Sequence, residues 1–410
     1  LKFRQVIDFE QHRILTKKGL NKPAYLRLNQ AAEQASLPLV GHAPLNLNLN
    51  ALLKAGQNLA HVNELANLYF LPPLDLNHGF MIKLARWPFI ILFGLIFLWF
   101  VLHKITTRTQ VELECLNTAA VIFLLSLLCV MLWLLVVPPG YFFGSIWLLT
   151  ILSISGLVCI IMVLRLFGQV INVWRKTSST FTGKILSIAV FTASVLMTVS
   201  FTYWISFAWR GSDMVINRVA RQCKNAGIRI QTTLICQQLF MDCRDGFLRQ
   251  QMTDAELYKY LDPDMQSSWR AFAQLKPPRI TALWKRHPEF NQRLVRALHE
   301  HGVPLMAGSD AMGAPLIIPG YSLHQELQLI RESGLSPDAV LRTATVEPAA
   351  FLDKLDEFGT VTVGKQADLL LVDGNPLENL THLQNIKGVM VRGTWLSDVN
   401  LDQRLKSLIQ

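Results

Sequence analysis

The feature that most constrains this sequence is a set of four long apolar runs in its middle, at residues 87–102, 119–137, 144–164 and 185–209. A bilayer span needs about 20 apolar residues, and a core helix of a soluble domain seldom runs this long without a polar face. The segment Arg86–Arg210, with both ends included, contains eight Lys or Arg but only two Glu. We therefore predict a four-helix transmembrane insert over residues 86–210. The alternative, a set of buried core helices, is disfavoured by the length of the runs.

The charge pattern agrees with a membrane protein. The net charge is +10, and much of the basic excess flanks the apolar runs, which is typical of orientation signals and does not indicate nucleic acid as a partner. The loops on the side of the membrane opposite the segments before and after the insert carry slightly more basic residues. The positive-inside rule therefore slightly favours the cytoplasm for those loops and the non-cytoplasmic face for the segments before and after the insert. The four runs contain no Asp or Glu, so anchoring in the lipid bilayer is favoured over transport.

The segments on either side of the insert alternate between short apolar strands and helices. Helical spacing separates the strands, so a parallel α/β sheet or barrel is expected. We divide it into residues 1–85 and 211–355, and a change to a period of two predicts a small β subdomain at residues 356–400. The predicted strands are residues 1–7, 38–40, 58–60, 228–235 and 303–307, followed by 360–363, 367–372 and 388–392 in the β subdomain.

Four polar side chains lie at or near the ends of predicted strands, namely Lys2, His42, His61 and Asp310. Two imidazoles and a carboxylate suit a borderline divalent ion such as zinc, and a carboxylate beside that ion can accept a proton from water. The spacing thus indicates metal-assisted hydrolysis. Each of these residues also has an alternative, purely structural interpretation. Asp310 would then cap the next helix, each histidine would be a satisfied core or surface residue, and Lys2 would be an ordinary strand lysine.

Seven segments of the sequence match a known family. They are Leu1–Phe3, Leu39–Pro44, Ala60–His61, Ala307–Ala311, Pro319–Leu327, Ser333–Ala349 and Gly359–Leu377. These segments resemble the amidohydrolase superfamily, in the branch similar to imidazolonepropionase and prolidase-type amidohydrolases. The resemblance covers about residues 1–80 and 211–396. It implies a (β/α)8 barrel of the TIM type with a small β-sandwich, of which strands four to six would lie before the insert and strands seven and eight after it.

The resemblance also implies roles. Lys2 would be the strand-four lysine that is carboxylated and bridges two metals, and His42 and His61 would be the ligands from strands five and six. Asp310 would bind metal and relay the proton to the leaving nitrogen. His324 and Glu326 would be structural or substrate-near. The implied activity is metal-dependent hydrolysis, with one or two zinc ions, of C–N bonds in non-peptide amides, lactams or small peptides.

One departure from the family pattern supports a different function. The His-x-His pair of strand one is absent, because the sequence begins at strand four, and we expect it to be a fragment or a processed chain. The only such spacing, His299-Glu300-His301, ends a predicted helix, where a surface role is expected. A catalytically impaired, amidohydrolase-like membrane sensor or scaffold is therefore the alternative to an anchored enzyme.

Overall fold

The computed structural model describes residues 22–34, 40–43, 47–70, 94, 110–124 apart from 111, 112 and 116, 146–245 apart from 178 and 180, 259–274, 287–311 and 317–407. The chain divides into two compact units, an α/β unit of residues 1–69 and 216–410 and a helical unit of residues 70–215. The strand predicted at residues 1–7, with Lys2, lies outside the described residues.

A parallel sheet forms the centre of the α/β unit. Its strands are β1 (Val40–Gly41), β2 (Asn58–Leu59), β3 (Ile230–Gln231) and β4 (Leu305–Met306), which lie side by side in that order. Leu59 pairs with Ile230, which pairs with Leu305, and all three side chains are at most 3% exposed. Parallel strands in sequential order, each followed by a helix, form a TIM-barrel-like α/β arrangement.

The helices continue the predicted alternation. Helix α9 illustrates their packing, because Phe290, Leu294 and Leu298 recur every four residues and all three are buried. The helices are α1 (Lys22–Gln34), α2 (Leu49–Lys54), α3 (Val62–Leu65), α4 (Ile146–Arg175), α5 (Phe181–Arg210), α6 (Asp213–Asn225), α7 (Leu234–Asp245), α8 (Pro263–Gln274), α9 (His287–Glu300), α10 (Tyr321–Glu332), α11 (Pro337–Ala344), α12 (Val346–Phe351) and α13 (Asp398–Lys406).

An antiparallel sheet forms most of the predicted β subdomain. Strands β5 (Leu369–Val372), β6 (Ile386–Val391) and β7 (Thr394–Ser397) pair in that order, and a tight turn at Arg392 and Gly393 joins β6 to β7. Both turn residues have positive φ, as hairpin turns of this kind require. The strand predicted at residues 360–363 is wrong. Val361 and Val363 are 87% and 103% exposed, so their alternation is not buried against a neighbouring strand.

The helical unit contains two long helices, α4 and α5, packed against each other. Its buried core is formed by small and branched apolar side chains from both helices and from residues 115–122, while Ile154, Leu157, Ile161 and Leu164 on α4 are exposed. Within the described part of the chain, one helical segment, Ser153–Arg175, is long and apolar enough to cross a membrane. Of the predicted runs, 87–102 lies outside that part except for residue 94, and 119–137 lies outside it from residue 125 onward.

The third strand of the parallel sheet is shorter than the sequence predicts. The run Ile228–Ile235 is rich in β-branched residues, which favours a strand over its whole length. The strand nevertheless ends at Gln231, and α7 begins at Leu234. The physical cause is a buried carboxylate from a distant helix, which binds the first amides of α7 and is described below.

Candidate functional site

His42 and His61 lie side by side at the carboxyl ends of two neighbouring strands. Strands β1 and β2 are parallel, with Gly41 paired to Leu59, so the residues that follow them leave the sheet at the same edge. The centroids of the two imidazole rings are 4.6 Å apart, and the ring planes are inclined by 35°. Two of the predicted site residues are thereby brought together at the edge of the sheet where α/β proteins bind their ligands.

A second side chain contacts Nδ1 of each ring. Oε1 of Glu64, on α3, is 2.6 Å from Nδ1 of His42. Oγ1 of Thr233, which follows β3, is 2.7 Å from Nδ1 of His61, and both of these residues are buried. When Nδ1–H donates to such a partner, the lone pair of the imidazole lies on Nε2, and the orientation of the ring is fixed in the way that metal-binding histidines require.

Thr233 has an unusual backbone conformation. Its φ is 47°, in the left-handed region that β-branched residues rarely adopt. The residue is 1% exposed, and its neighbour Thr232 is fully buried and donates its backbone N–H to the carbonyl oxygen of Met306 at 2.9 Å. Such a conformation persists only where the surrounding contacts determine it, and it is often found at functional sites.

Glu326, on α10, supplies the contacts on the other side of this turn. Its side chain is fully buried, Oε2 accepts the N–H of Ile235 at 2.7 Å, and Oε1 forms a short hydrogen bond with Oγ1 of Thr232. Burial raises the pKa of this carboxyl from 4.5 to about 7, against the lowering effect of hydrogen bonds from Thr232, Ile235 and Leu234. Glu326 therefore lies behind the turn that presents Thr233, in a structural position.

Asp310 follows β4 and also has a left-handed backbone, with φ 58°. Asp tolerates this region better than most residues. Its Oδ2 is 3.7 Å from Sγ of Cys236 on α7, and its side chain is partly exposed. The loop before it passes close to β3, because a Cβ on Gly308 would lie 2.0 Å from Nε2 of Gln231. Any side chain at position 308 would therefore require the side chain of Gln231 to move.

Residues 212–396, which contain β3, β4 and the antiparallel sheet, match the amidohydrolase family. Over this segment the chain resembles the amidohydrolase superfamily. It is 33% identical over 92 residues to an imidazolonepropionase of Caldanaerobacter subterraneus subsp. tengcongensis, a match that covers 21% of this chain and 21% of that protein. An imidazolonepropionase of Alkaliphilus oremlandii is 30% identical over 83 residues, which cover 19% of this chain and 18% of that protein. The matched part is about a fifth of the length of these relatives.

Solved structures that are similar to this chain include a bottromycin amidohydrolase and a Xaa-Pro dipeptidase with bound methionine. The first has a TM-score of 0.45 and 17% sequence identity, over 95% of this chain and 57% of that protein. The second has a TM-score of 0.31 and 18% identity, over 54% of this chain and 50% of that protein.

The residues of the candidate site come from both sides of the helical unit in the sequence. Thr233, Asp310 and Glu326 belong to the segment that matches the amidohydrolase family, whereas His42 and His61 precede it. The β2–β3 pairing and the hydrogen bond between His61 and Thr233 connect the two parts. The early histidines are therefore integral to the same α/β unit as the amidohydrolase segment.

The zinc site predicted from His42, His61 and Asp310 stays a prediction. In the described part of the chain, no group of three or more His, Cys, Asp or Glu lies close enough together to hold a metal ion. Lys2 falls outside that part. The donor chemistry of the two histidines suits zinc, because a carboxylate and a hydroxyl contact their Nδ1 atoms in the manner of the residues that surround zinc-bound imidazoles.

His324 has a different environment from the histidine pair. It lies on α10, is half-buried, and burial lowers its pKa. The sequence did not single out Glu64, Thr233 or Cys236. A signal for Glu64 was present, since it lies three residues after His61 on the helix that this histidine precedes. Nothing in the local sequence indicates that Thr233 would turn its hydroxyl towards His61.

Proposed function

We propose that this protein is a metal-dependent hydrolase of C–N bonds, acting on non-peptide amides, lactams or small peptides. The observation that carries the proposal is the pair of adjacent imidazoles, His42 and His61, with Nδ1 contacts to Glu64 and Thr233 at the carboxyl edge of parallel strands. The match of residues 212–396 to the amidohydrolase family gives this pair a chemical context. Imidazolonepropionases and a dipeptidase among the similar proteins support small amides as the substrate class.

His42, His61 and Asp310 are the residues that would hold the ion, with Lys2 as a further ligand if the lysine is carboxylated. Zinc bound there would supply a Lewis acid, which polarises a carbonyl and lowers the pKa of water. Glu64 and Thr233 would keep both imidazoles in the ligand tautomer. Asp310 would accept the proton of the attacking water and deliver it to the leaving nitrogen. This transfer is needed because a nitrogen that is not protonated is a poor leaving group.

The test is turnover by the purified full-length protein supplied with Zn²⁺, against a panel of simple amides, lactams and dipeptides. We expect activity on at least one class, and we expect His61→Ala to abolish it. His299→Ala is the matched control, because His299 is an exposed residue at the end of α9. Failure to hydrolyse any compound in the panel, or full activity of the His61 variant, would contradict the proposal.

A second candidate function is a catalytically impaired amidohydrolase-like sensor or scaffold. It is favoured by the absence, among the described residues, of a three-ligand group that could hold a metal. This function predicts binding of amide or dipeptide ligands without their conversion. Calorimetric titration followed by chromatography of the same sample separates the two candidates, because only an enzyme converts the ligand.

Anchoring in a membrane is part of the proposal. The first half of the helical segment Ser153–Arg175 exposes apolar side chains, among them Ile154, Leu157, Ile161 and Leu164, and lipid is the surrounding that such a surface favours. The four predicted runs would form an anchor with the α/β unit on the non-cytoplasmic face. Carbonate extraction of membranes tests this, and release of the protein into the soluble fraction would contradict it.

A further inference from the structure

Helix α7 begins without the usual cap. A residue before a helix normally has an extended backbone and uses its side-chain oxygen to accept the N–H of the second or third helical residue. Thr233 occupies that position and has a suitable hydroxyl, but its backbone is left-handed and its hydroxyl contacts His61 instead. The first amides of α7 must therefore find their acceptor elsewhere.

That acceptor is Glu326. Its Oε2 accepts the N–H of Ile235 at 2.7 Å, and the backbone of Leu234 also hydrogen-bonds to its carboxyl group. Its Oε1 contacts Oγ1 of Thr232, which also lies 3.4 Å from the carbonyl oxygen of Met306. Glu326 thus contacts the residues immediately before and after Thr233, and it does so from α10, 91 residues from Ile235.

We propose that Glu326 is a positioning residue for His61. By satisfying the first amides of α7, it makes the hydroxyl of Thr233 available for Nδ1 of His61, and by fixing the residues on either side it holds Thr233 in its left-handed conformation. The inference rests on the proposed function only in treating His61 as a site residue. It assigns to Glu326 no contact with substrate or metal, because the side chain is fully buried.

The loss of Glu326 would create a competition for one hydroxyl. In a Glu326→Ala variant the amide of Ile235 loses its acceptor, and Thr233, which holds the capping position, carries the hydroxyl that can replace it. If Thr233 relaxes to an extended backbone, it becomes an ordinary cap of α7, and its hydroxyl leaves His61. Removal of a carboxylate from α10 would then be detected at the imidazole of His61 through the change in Thr233.

The conservative variant is expected to behave differently. In Glu326→Gln the amide oxygen can accept from Ile235, while the amide nitrogen can donate to Oγ1 of Thr232, whose hydroxyl can turn towards the carbonyl of Met306. The contacts on both sides of Thr233 are then preserved. Rescue by glutamine but not by alanine would identify the hydrogen bonds, rather than the charge, as the means of positioning.

The direct experiment is NMR of the metal-free full-length protein labelled with ¹⁵N-histidine. The chain has 10 histidines, and a His61→Gln variant assigns the His61 ring signals. We expect Glu326→Ala to move the Nδ1 and Nε2 shifts of His61 and to leave His42, whose Nδ1 contacts Glu64, near its original position. Glu326→Gln should leave both unchanged. Glu332→Ala, an exposed glutamate on the same helix, is the matched control.

Unchanged His61 shifts in a folded Glu326→Ala variant would overturn the proposal. So would equal changes at His42 and His61, because these would indicate general loosening of the site. If Glu326→Ala does not fold, Glu326→Asp replaces it: the shorter side chain withdraws the acceptor from Ile235 but keeps a carboxyl group. The same shift at His61 is then expected, and its absence would count equally against the proposal.

A double-mutant cycle in zinc affinity tests the path through Thr233. Loss of a residue that orients a ligand commonly weakens metal binding about 10-fold to 100-fold, and we expect this for Thr233→Ala and for Glu326→Ala. The double variant should be no weaker than the weaker single variant, whereas multiplication of the two losses would contradict the inference. If the parent protein does not bind zinc, the proposed function fails, and the NMR result still decides the positioning role of Glu326.

Discussion

Replacement of Glu326 by glutamine should change the pH dependence of stability. The carboxyl is fully buried, and burial raises its pKa from 4.5 to about 7 despite three hydrogen bonds that lower it. One pKa unit corresponds to about 1.4 kcal/mol, so ionisation of this group costs the folded α/β unit about 3 kcal/mol. Glutamine has nearly the same shape and can make the same contacts but does not ionise, so this cost is absent from the variant.

The sign follows from the number of protons bound. Between about pH 4.5 and pH 7 the folded protein keeps a proton on Glu326 that the unfolded chain has released, so the free energy of unfolding falls as the pH rises. The contribution is fully present below pH 4.5 and is lost by about pH 7. The Glu326→Gln variant should therefore equal the parent protein near pH 4 and exceed its stability by about 3 kcal/mol at about pH 8.

Hydrogen exchange at the start of α7 measures this difference locally. Peptides that contain Leu234 and Ile235 report the opening of the helix terminus contacted by Glu326. Comparison of variant and parent at the same pH cancels the intrinsic chemistry of exchange. The ratio of the exchange rate in the parent to that in Glu326→Gln should rise by on the order of 100-fold between about pH 5 and pH 8, because exchange in the variant is slower at high pH. Glu332→Gln, an exposed glutamate on the same helix, should give a constant ratio. A pH-independent ratio for Glu326→Gln would refute the reasoning.

Three further predictions concern other residues. Glu64→Gln should weaken zinc binding about 10-fold or more, because the charged partner of His42 Nδ1 is lost; competition with a chelator measures this, and unchanged affinity would be a contradiction. Phe290→Ala should destabilise the α/β unit by about 3–5 kcal/mol, measured by urea denaturation, because Phe290 is 1% exposed in the core; a loss below 1 kcal/mol would be too small for a core position. Ser336→Ala should cost about 1 kcal/mol in the same assay, because Oγ accepts the N–H of Ala339 at 3.2 Å, whereas Ser336→Thr should be close to neutral.

Much of the α/β unit follows from the sequence because its elements are locally encoded. The period of Phe290, Leu294 and Leu298 predicts helix α9, and Gly302 predicts its end. The position of His42 and His61 at successive strand ends implies proximity, since neighbouring parallel strands leave a sheet at the same edge. Composition likewise indicates the long apolar helices α4 and α5.

The remaining features depend on contacts between residues that are distant in the sequence. The run Ile228–Ile235 has the composition of one strand, but its second half becomes the start of α7 because Glu326 binds the amides there. The left-handed Thr233 is equally non-local, since its hydroxyl is directed by His61 from another strand. At residues 360–363 an alternating pattern remained exposed because burial, not alternation alone, stabilises a strand.

The pairing of β2 with β3 has a consequence for biosynthesis. The backbone N–H of Arg229, next to β3, donates to the side chain of Asn58 in β2, 171 residues earlier. A ribosome that adds about 5–20 residues per second needs on the order of 10–30 s to synthesise the intervening chain. Throughout that interval, the edge of β2 has no hydrogen-bonding neighbour from β3, and unpaired strand edges are prone to wrong association. Completion of the parallel sheet therefore depends on a contact of long sequence separation, which favours slow assembly and makes the unit sensitive to chaperones that shield the early strands.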